Sequence, residues 1–243
     1  MPTSKELKWD VSGERLLESG VSKVVLYPMA NGAYEKGVAW NGVTAINEAP
    51  GGADVTDLYA DNIKYASLRA AETFGFTIEA YMYPDEWAEC DGSKAALSGV
   101  MIGQQTRKAF GLCYRTEIGS DANPGMDKGY KIHIVYNNTA SPSGRGYATI
   151  NNSPDAISFS WEANSTPVNV EVGKNVFKPT CLITVDSTIV DSTHMAALEA
   201  ALYGHDDASD ASNSTDPRLP DPAEVLSILG YVAPSESQGS NNP

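Results

Sequence analysis

The sequence offers little from which to build a catalytic centre. It has three histidines and three cysteines in 243 residues. Cys90, Cys113 and Cys181 each stand alone, with no CxxC pair. That excludes a dense disulfide framework and fits reduced thiols in a cytosolic setting. No GxSxG elbow, P-loop or HExxH helix occurs. No apolar run approaches the roughly 18–20 residues needed to span a bilayer. The opening MPTSKELKWD has no apolar core of a signal peptide, so no secretion is expected. Bases are scarce too, 17 against 31 acids, for a net charge of −14. Residues 185–243 carry ten acids and one base, Arg218. A chain so charged does not hold nucleic acid by neutralising phosphates.

The few candidate sites dissolve on inspection. GRGYAT (144–149) lacks the third glycine of a dinucleotide fingerprint and opens no helix. On one continuous helix His194 and His205 would stand about 16 Å apart, too far for one metal held at about 2 Å. Asp206, Asp207 and Asp210 read as a solvated acidic stretch. SDANPGMD (120–127) spaces Asp121, Asn123, Gly125 and Asp127 like a calcium loop. Its twelfth position is Ile132 where a glutamate is needed, so turn chemistry is the simpler reading. His133 alternates with Ile132 and Ile134 and is expected on a strand surface. Cys90 lies among acids that would raise its pKa. Four N-x-S/T triplets, at Asn137, Asn151, Asn164 and Asn213, match the abundance of those residues. No cofactor or metal site is expected, and no enzyme.

What is present is period-two patterning broken by turn residues. Segments 21–28, 75–83, 107–118, 129–137, 157–161, 166–172 and 181–187 read as strands. Tyr130, Ile132, Ile134 and Tyr136 share one face of theirs, and Ile157, Phe159 and Trp161 share one of another, as in half-buried antiparallel strands. GVAWNGVTAI (37–46) and DLYADNIKYASL (57–68) flank EAPGGAD (48–54), which predicts one long hairpin over 37–68 with its reversal near 48–54. Deleting 44–55 should then remove only its tip. PDEWAECDG predicts a short helix with Pro84 at its start and Gly92 at its exit.

After residue 190 the pattern changes. Met195, Leu198 and Leu202 mark a helix over 191–204 that stops at Gly204. Residues 205–220 read as an acidic linker. Asp221, Pro222 and Glu224 predict a capping box opening a short helix over 221–230. Residues 231–243 have a disordered composition. The fold expected is mainly β with minor α: an antiparallel β-sandwich or barrel over 1–190, with a hairpin arm and a flanking helix.

Several blocks occur together in order: VSGERLLESGVSKVVLYP, GVAWNGVTAINEAPGGA, LYADNIKYASL, TIEAYMYPDEWAECDGS, IGQQTRKAFGLCYRTEIG, GYKIHIVYN and ATINNSPDAISFSWE. From about residue 8 to about 230 the chain resembles the major tail protein, or tail tube protein, of long-tailed bacteriophages. The resemblance implies a subunit of hexameric rings, stacked into a tube around a tape-measure protein. It also implies contacts with tail terminator and distal tail proteins, and DNA passing through without specific binding. The location implied is the virion tail, after synthesis in the host bacterial cytoplasm, with no membrane and a non-contractile tail. On this reading Val38, Trp40, Val43, Ile46, Leu58 and Tyr59, on the predicted hairpin, are the expected inter-subunit contacts. The competing reading is a surface β-sandwich binding module, an adhesin or carbohydrate-binding domain, motivated by the 12 tyrosines and 4 tryptophans.

Overall fold

The computed structural model describes residues 6–122, 128–150, 156–173, 175–207 and 211–232. In chain order they form β1 (Leu16–Ala30), β2 (Ala33–Tyr34), β3 (Val38–Ala39), β4 (Val43–Gly52), β5 (Val55–Ala60), β6 (Ile63–Arg69) and β7 (Glu72–Ala80). Then come α1 (Trp87–Cys90), β8 (Lys94–Leu97), β9 (Val100–Ile102), β10 (Phe110–Ser120), β11 (Gly129–Ala140), β12 (Phe159–Ser165), β13 (Val168–Val172), β14 (Asn175–Thr180) and β15 (Leu182–Asp186). Helices α2 (Ser192–Tyr203) and α3 (Pro222–Ile228) follow. The described residues are therefore mainly antiparallel β with three short α-helices.

The main sheet runs β2-β1-β10-β11-β12-β7-β4, with β15 on β11 and β3 on β1. It rolls towards closure. β3 pairs with β1, the chain crosses the seam over residues 40–43, and β4 pairs with β7 on the far side. Trp40 N–H donates to Val24 O at 2.8 Å and extends the β3–β1 ladder up to that seam.

Alternation then sorts side chains into two layers. Leu26, Leu112, Val135, Trp161, Phe76 and Ile78 point into the roll. Trp40, Trp87 and Trp161 fill it, with ring centroids 4.6–5.7 Å apart. Such tilted and edge-on contacts are the favoured arrangement for large rings. Tyr27, Cys113, Ile132, Ile134 and Tyr136 point outward into a second core, shared with Met195, Leu198 and Leu202 of α2 and Val225 of α3. Tyr27 donates to Leu202 O at 2.6 Å and Tyr136 to Pro220 O at 3.1 Å. Asp191 caps α2 by accepting from Thr193 N–H at 2.8 Å, as its side-chain type favours. Leu198 is fully buried in this layer. Leu198→Asp should therefore destabilise the chain by about 3–5 kcal/mol, through a buried, unpaired carboxylate. A urea titration monitored by tryptophan fluorescence checks this.

Four expectations need correction. First, the arm does not span 37–68 with a reversal at 48–54. Residues 43–52 are strand β4, in register with β7 from Val43↔Ala80 to Gly52↔Glu72. β5 and β6 continue the same ladder from Val55↔Arg69. The reversal is at Asp61 and Asn62, with φ of 50° and 63°, both left-handed as a tight hairpin turn requires. Pro50 is tolerated because β4 is the last strand on its side of the sheet there. Deleting 44–55 would thus remove a barrel strand.

Second, β11 is covered on both faces, because the roll lies on one side and α2 with α3 on the other. Third, the described part of 205–220 is folded back against the body. His205 and Thr215 form a bridge, Pro217 O accepts from Gly37 N–H at 2.8 Å, and Leu219 is buried. Gly111 makes room for Leu219: a Cβ there would lie 2.2 Å from Leu219 Cδ2. A composition average misses two apolar anchors, Leu219 and Pro220, in a polar run. Fourth, Glu224 does not close a capping box. Asp221 accepts from its N–H at 2.8 Å, while the Glu224 carboxylate turns to Arg218 at 2.7 Å. The calcium-like spacing at Asn123, Gly125 and Asp127 lies outside the described residues, as does the tail from 233.

Candidate assembly surfaces

The part of the ladder beyond Gly52 and Glu72 leaves the barrel. Among the described residues β5 and β6 pair only with each other, as a two-stranded ribbon. Register assigns its faces. Asp57, Ser67 and Lys64 share one, where Asp57 accepts from Ser67 at 2.7 Å and pairs with Lys64 at 2.7 Å. Tyr65 donates to Asp61 beside the tip at 2.7 Å. The Lys64 ammonium holds the Asp57 carboxyl below its usual range. The opposite face carries Thr56, Leu58, Ala60, Ile63, Ala66 and Leu68. Leu58, Ile63 and Leu68 are 45%, 61% and 57% exposed. An isolated two-stranded ribbon is marginal in water, and a contiguous exposed apolar stripe marks an interaction surface.

Of the six residues expected at subunit contacts, only Leu58 and Tyr59 stand on this arm, exposed and on opposite faces. Trp40 is buried among the core indoles, and its Nε1–H donates to Met82 O at 2.9 Å. Val43 and Ile46 are half-buried against the same core, and Val38 lies half-buried in β3 beside β1. Sequence reasoning missed Ile63, Ala66 and Leu68 as a face. Period two over Ile63–Leu68 does not show it, because a register shift next to Tyr59 changes which residues oppose β5.

At the root of the arm the roll ends in a polar cluster. The His133 ring stacks on Tyr114 with centroids 4.7 Å apart. Tyr114 donates to Glu48 of β4. Thr116 donates to Glu18 at 2.6 Å, so His133 Nε2 carries the hydrogen it shares with Thr116 at 3.0 Å. Nδ1 then accepts from Thr184 at 3.3 Å. Lys131 pairs with Glu18 at 2.5 Å. His133 is thus buried where a strand-surface position was expected, because β1 and the base of β4 fold over that face. Burial pushes its pKa down, against the pull of Glu48 and Glu18. A histidine held neutral in the folded state contributes stability that is present above its unfolded pKa of about 6.5 and is lost as pH falls below that value. Unfolding free energy should decline from pH 7 to pH 5.5 by no more than about 1.4 kcal/mol per pH unit from this group. The component of the slope due to this residue should vanish in His133→Gln, as urea titrations at each pH would show.

The opposite end of the roll carries a second surface. The β8–β9 hairpin stands off α1 and leaves a cleft of about 660 Å³. Pro28, Tyr83, Ala88, Leu97 and Met101 supply its apolar wall, and Glu35, Asp85, Glu86 and Glu89 its rim. Lys108 pairs with Glu89 at 2.5 Å and Glu35 at 3.7 Å. The GRG loop lies nearby, with Arg145 paired to Asp91 and lying 5.5 Å from the Tyr83 ring centroid. Arg145 thus clasps a loop to the body.

Among the described residues no three His, Cys, Asp or Glu side chains converge closely enough to hold a metal. His194 donates through Nδ1 to Ile228 O at 2.7 Å, tying α2 to α3. The Cys90 and Cys113 thiols are both pushed up to about 12, by burial first; at Cys90 the neighbouring acids add less than that. No described helix is long and apolar enough to cross a membrane.

No protein-family model matches the chain, and no curated protein sequence does either. Among solved structures, a chain of an extracellular contractile injection system, from its sheath-tube complex in the extended state, is similar in part. It is 10% identical, over 68% of this chain and 88% of that one, with a TM-score of 0.27.

Proposed function

We propose that this chain is a structural subunit that self-assembles into a phage tail tube, with no catalytic role. The observation that carries the reading is the arm. Its apolar stripe, Leu58–Ile63–Leu68, is uncovered in the single chain and needs a partner to be buried. The seven sequence blocks that resemble tail tube proteins supply the kind of assembly: hexameric rings stacked around a tape-measure protein, with DNA passing through. An acidic chain suits such a conduit, because like charge keeps phosphate sliding. Contacts with terminator and distal tail proteins, and residence in a siphovirus tail, follow from the same reading.

Sedimentation velocity over a hundredfold concentration range tests it. The expected result is species many times heavier than the 25.9 kDa chain as concentration rises. A single 25.9 kDa species throughout, together with saturable binding to a glycan array, would instead favour the surface binding module.

A further inference from the structure

We infer that the cleft between α1 and the β8–β9 hairpin is the receptor for the apolar face of the arm of a second copy of this chain. The inference rests on the tube reading and adds to it the site on which the arm lands.

Strand direction places the two surfaces at opposite ends. β4 runs from Val43, beside the end of β7 at Ala80, to Gly52, where the arm departs. Ala80 also pairs with Phe159, and Phe110 pairs with Pro28. Pro28 and Tyr83 line the cleft. So Val43, Ala80, Phe159, Pro28 and the cleft mark one end of the roll. Gly52, Glu72 and the start of β1 mark the other. The arm cannot fold back into the cleft of its own chain: seven to eight residue pairs of ribbon reach roughly 25 Å, and they point away. A contact between two different patches on opposite ends is heterologous. It does not close on itself in a pair, and it propagates along an axis.

Charge favours the arm as occupant. The chain carries −14, yet residues 55–69 hold two acids and two bases. The exposed Leu16 and Leu17, by contrast, lie between Glu14 and Glu18. With no net charge, the arm reaches an acidic rim without net repulsion. Both partners are apolar where they meet. Leu97 and Met101 are 64% and 50% exposed, as uncovered as Leu58 and Leu68 on the arm. The cleft volume lies within the roughly 300–1,000 Å³ typical of binding pockets.

The test uses the full chain and two double variants. The cleft variant carries Leu97→Asp and Met101→Asp. The arm variant carries Leu58→Asp and Leu68→Asp. All four positions are exposed, and circular dichroism checks the fold. Each variant alone should need at least a tenfold higher concentration to form axial assemblies. Mixed, the intact arm of the first meets the intact cleft of the second, so particles of twice the mass should form and grow no further. A second measurement avoids charge altogether. Leu68→Cys and Leu97→Cys chains, oxidised together, should give a disulfide-linked pair containing one of each. If the wild-type chain assembles but the cleft variant assembles equally well, or no mixed disulfide forms, the inference is overturned and the tube reading stands. If the wild-type chain never assembles, the tube reading falls and takes the inference with it.

Discussion

Replacing residues 54–70 with an Asn-Gly turn is expected to leave a folded monomer that no longer forms long assemblies. The cut respects the ladder. Gly52↔Glu72 remains the last barrel pair, Ala53 N–H already donates to Ala71 O, and a two-residue turn then closes the hairpin. Nothing in either core is lost, because the core residues of this ladder, from Val43 to Ala80, all lie outside 54–70. The urea midpoint should therefore move little. What disappears is the uncovered stripe Leu58–Ile63–Leu68, and with it the surface assigned to assembly. Sedimentation velocity reads the outcome. Heavy species at wild-type concentrations would remove the arm from the account. A collapsed urea midpoint would show that the ribbon braces the barrel and is not merely attached to it.

A large loss of stability is expected at Trp161→Ala. Trp161 is essentially fully buried, and the rings of Trp40, Trp87, Tyr83 and Phe159 lie within 5.7 Å of its own. Truncation opens a cavity that these rings cannot fill without leaving their rotamers, at a cost of about 3–5 kcal/mol. Against a typical total of about 5–15 kcal/mol, that is a large share. Tyr147→Ala, at a position 74% exposed, serves as the control and should stay within about 0.5 kcal/mol of wild type. Paired urea titrations decide. A cost below about 1.5 kcal/mol at Trp161 would mean that the roll is not packed around its indoles.

Much of this fold is legible in the sequence where one face of a strand is apolar. Phe76, Ile78 and Ala80 alternate as read, and so does Trp161 against Ser160 and Glu162. Met195, Leu198 and Leu202 point where their spacing says. What was not legible comes from contacts distant in sequence. Roll closure covers His133 with groups from β1 and β4, up to 115 residues away, and no local window contains them. Asp61-Asn62 is a weaker turn signal than Pro50-Gly51-Gly52, yet it holds the reversal, because the free edge of β4 accepts proline. The same error carried Trp40 onto the candidate surface: a tryptophan in a supposed free hairpin looks available, and in the closed roll it is core. Leu58 and Tyr59 survived because they lie beyond the last barrel pair. The cleft had no sequence signal, since it forms between a four-residue helix and a hairpin joined to it.

The most direct measurement is negative-stain electron microscopy of the purified full-length chain across a concentration series. The account predicts rings at moderate concentration and hollow tubes of constant diameter at high concentration. Small featureless particles at every concentration would contradict it.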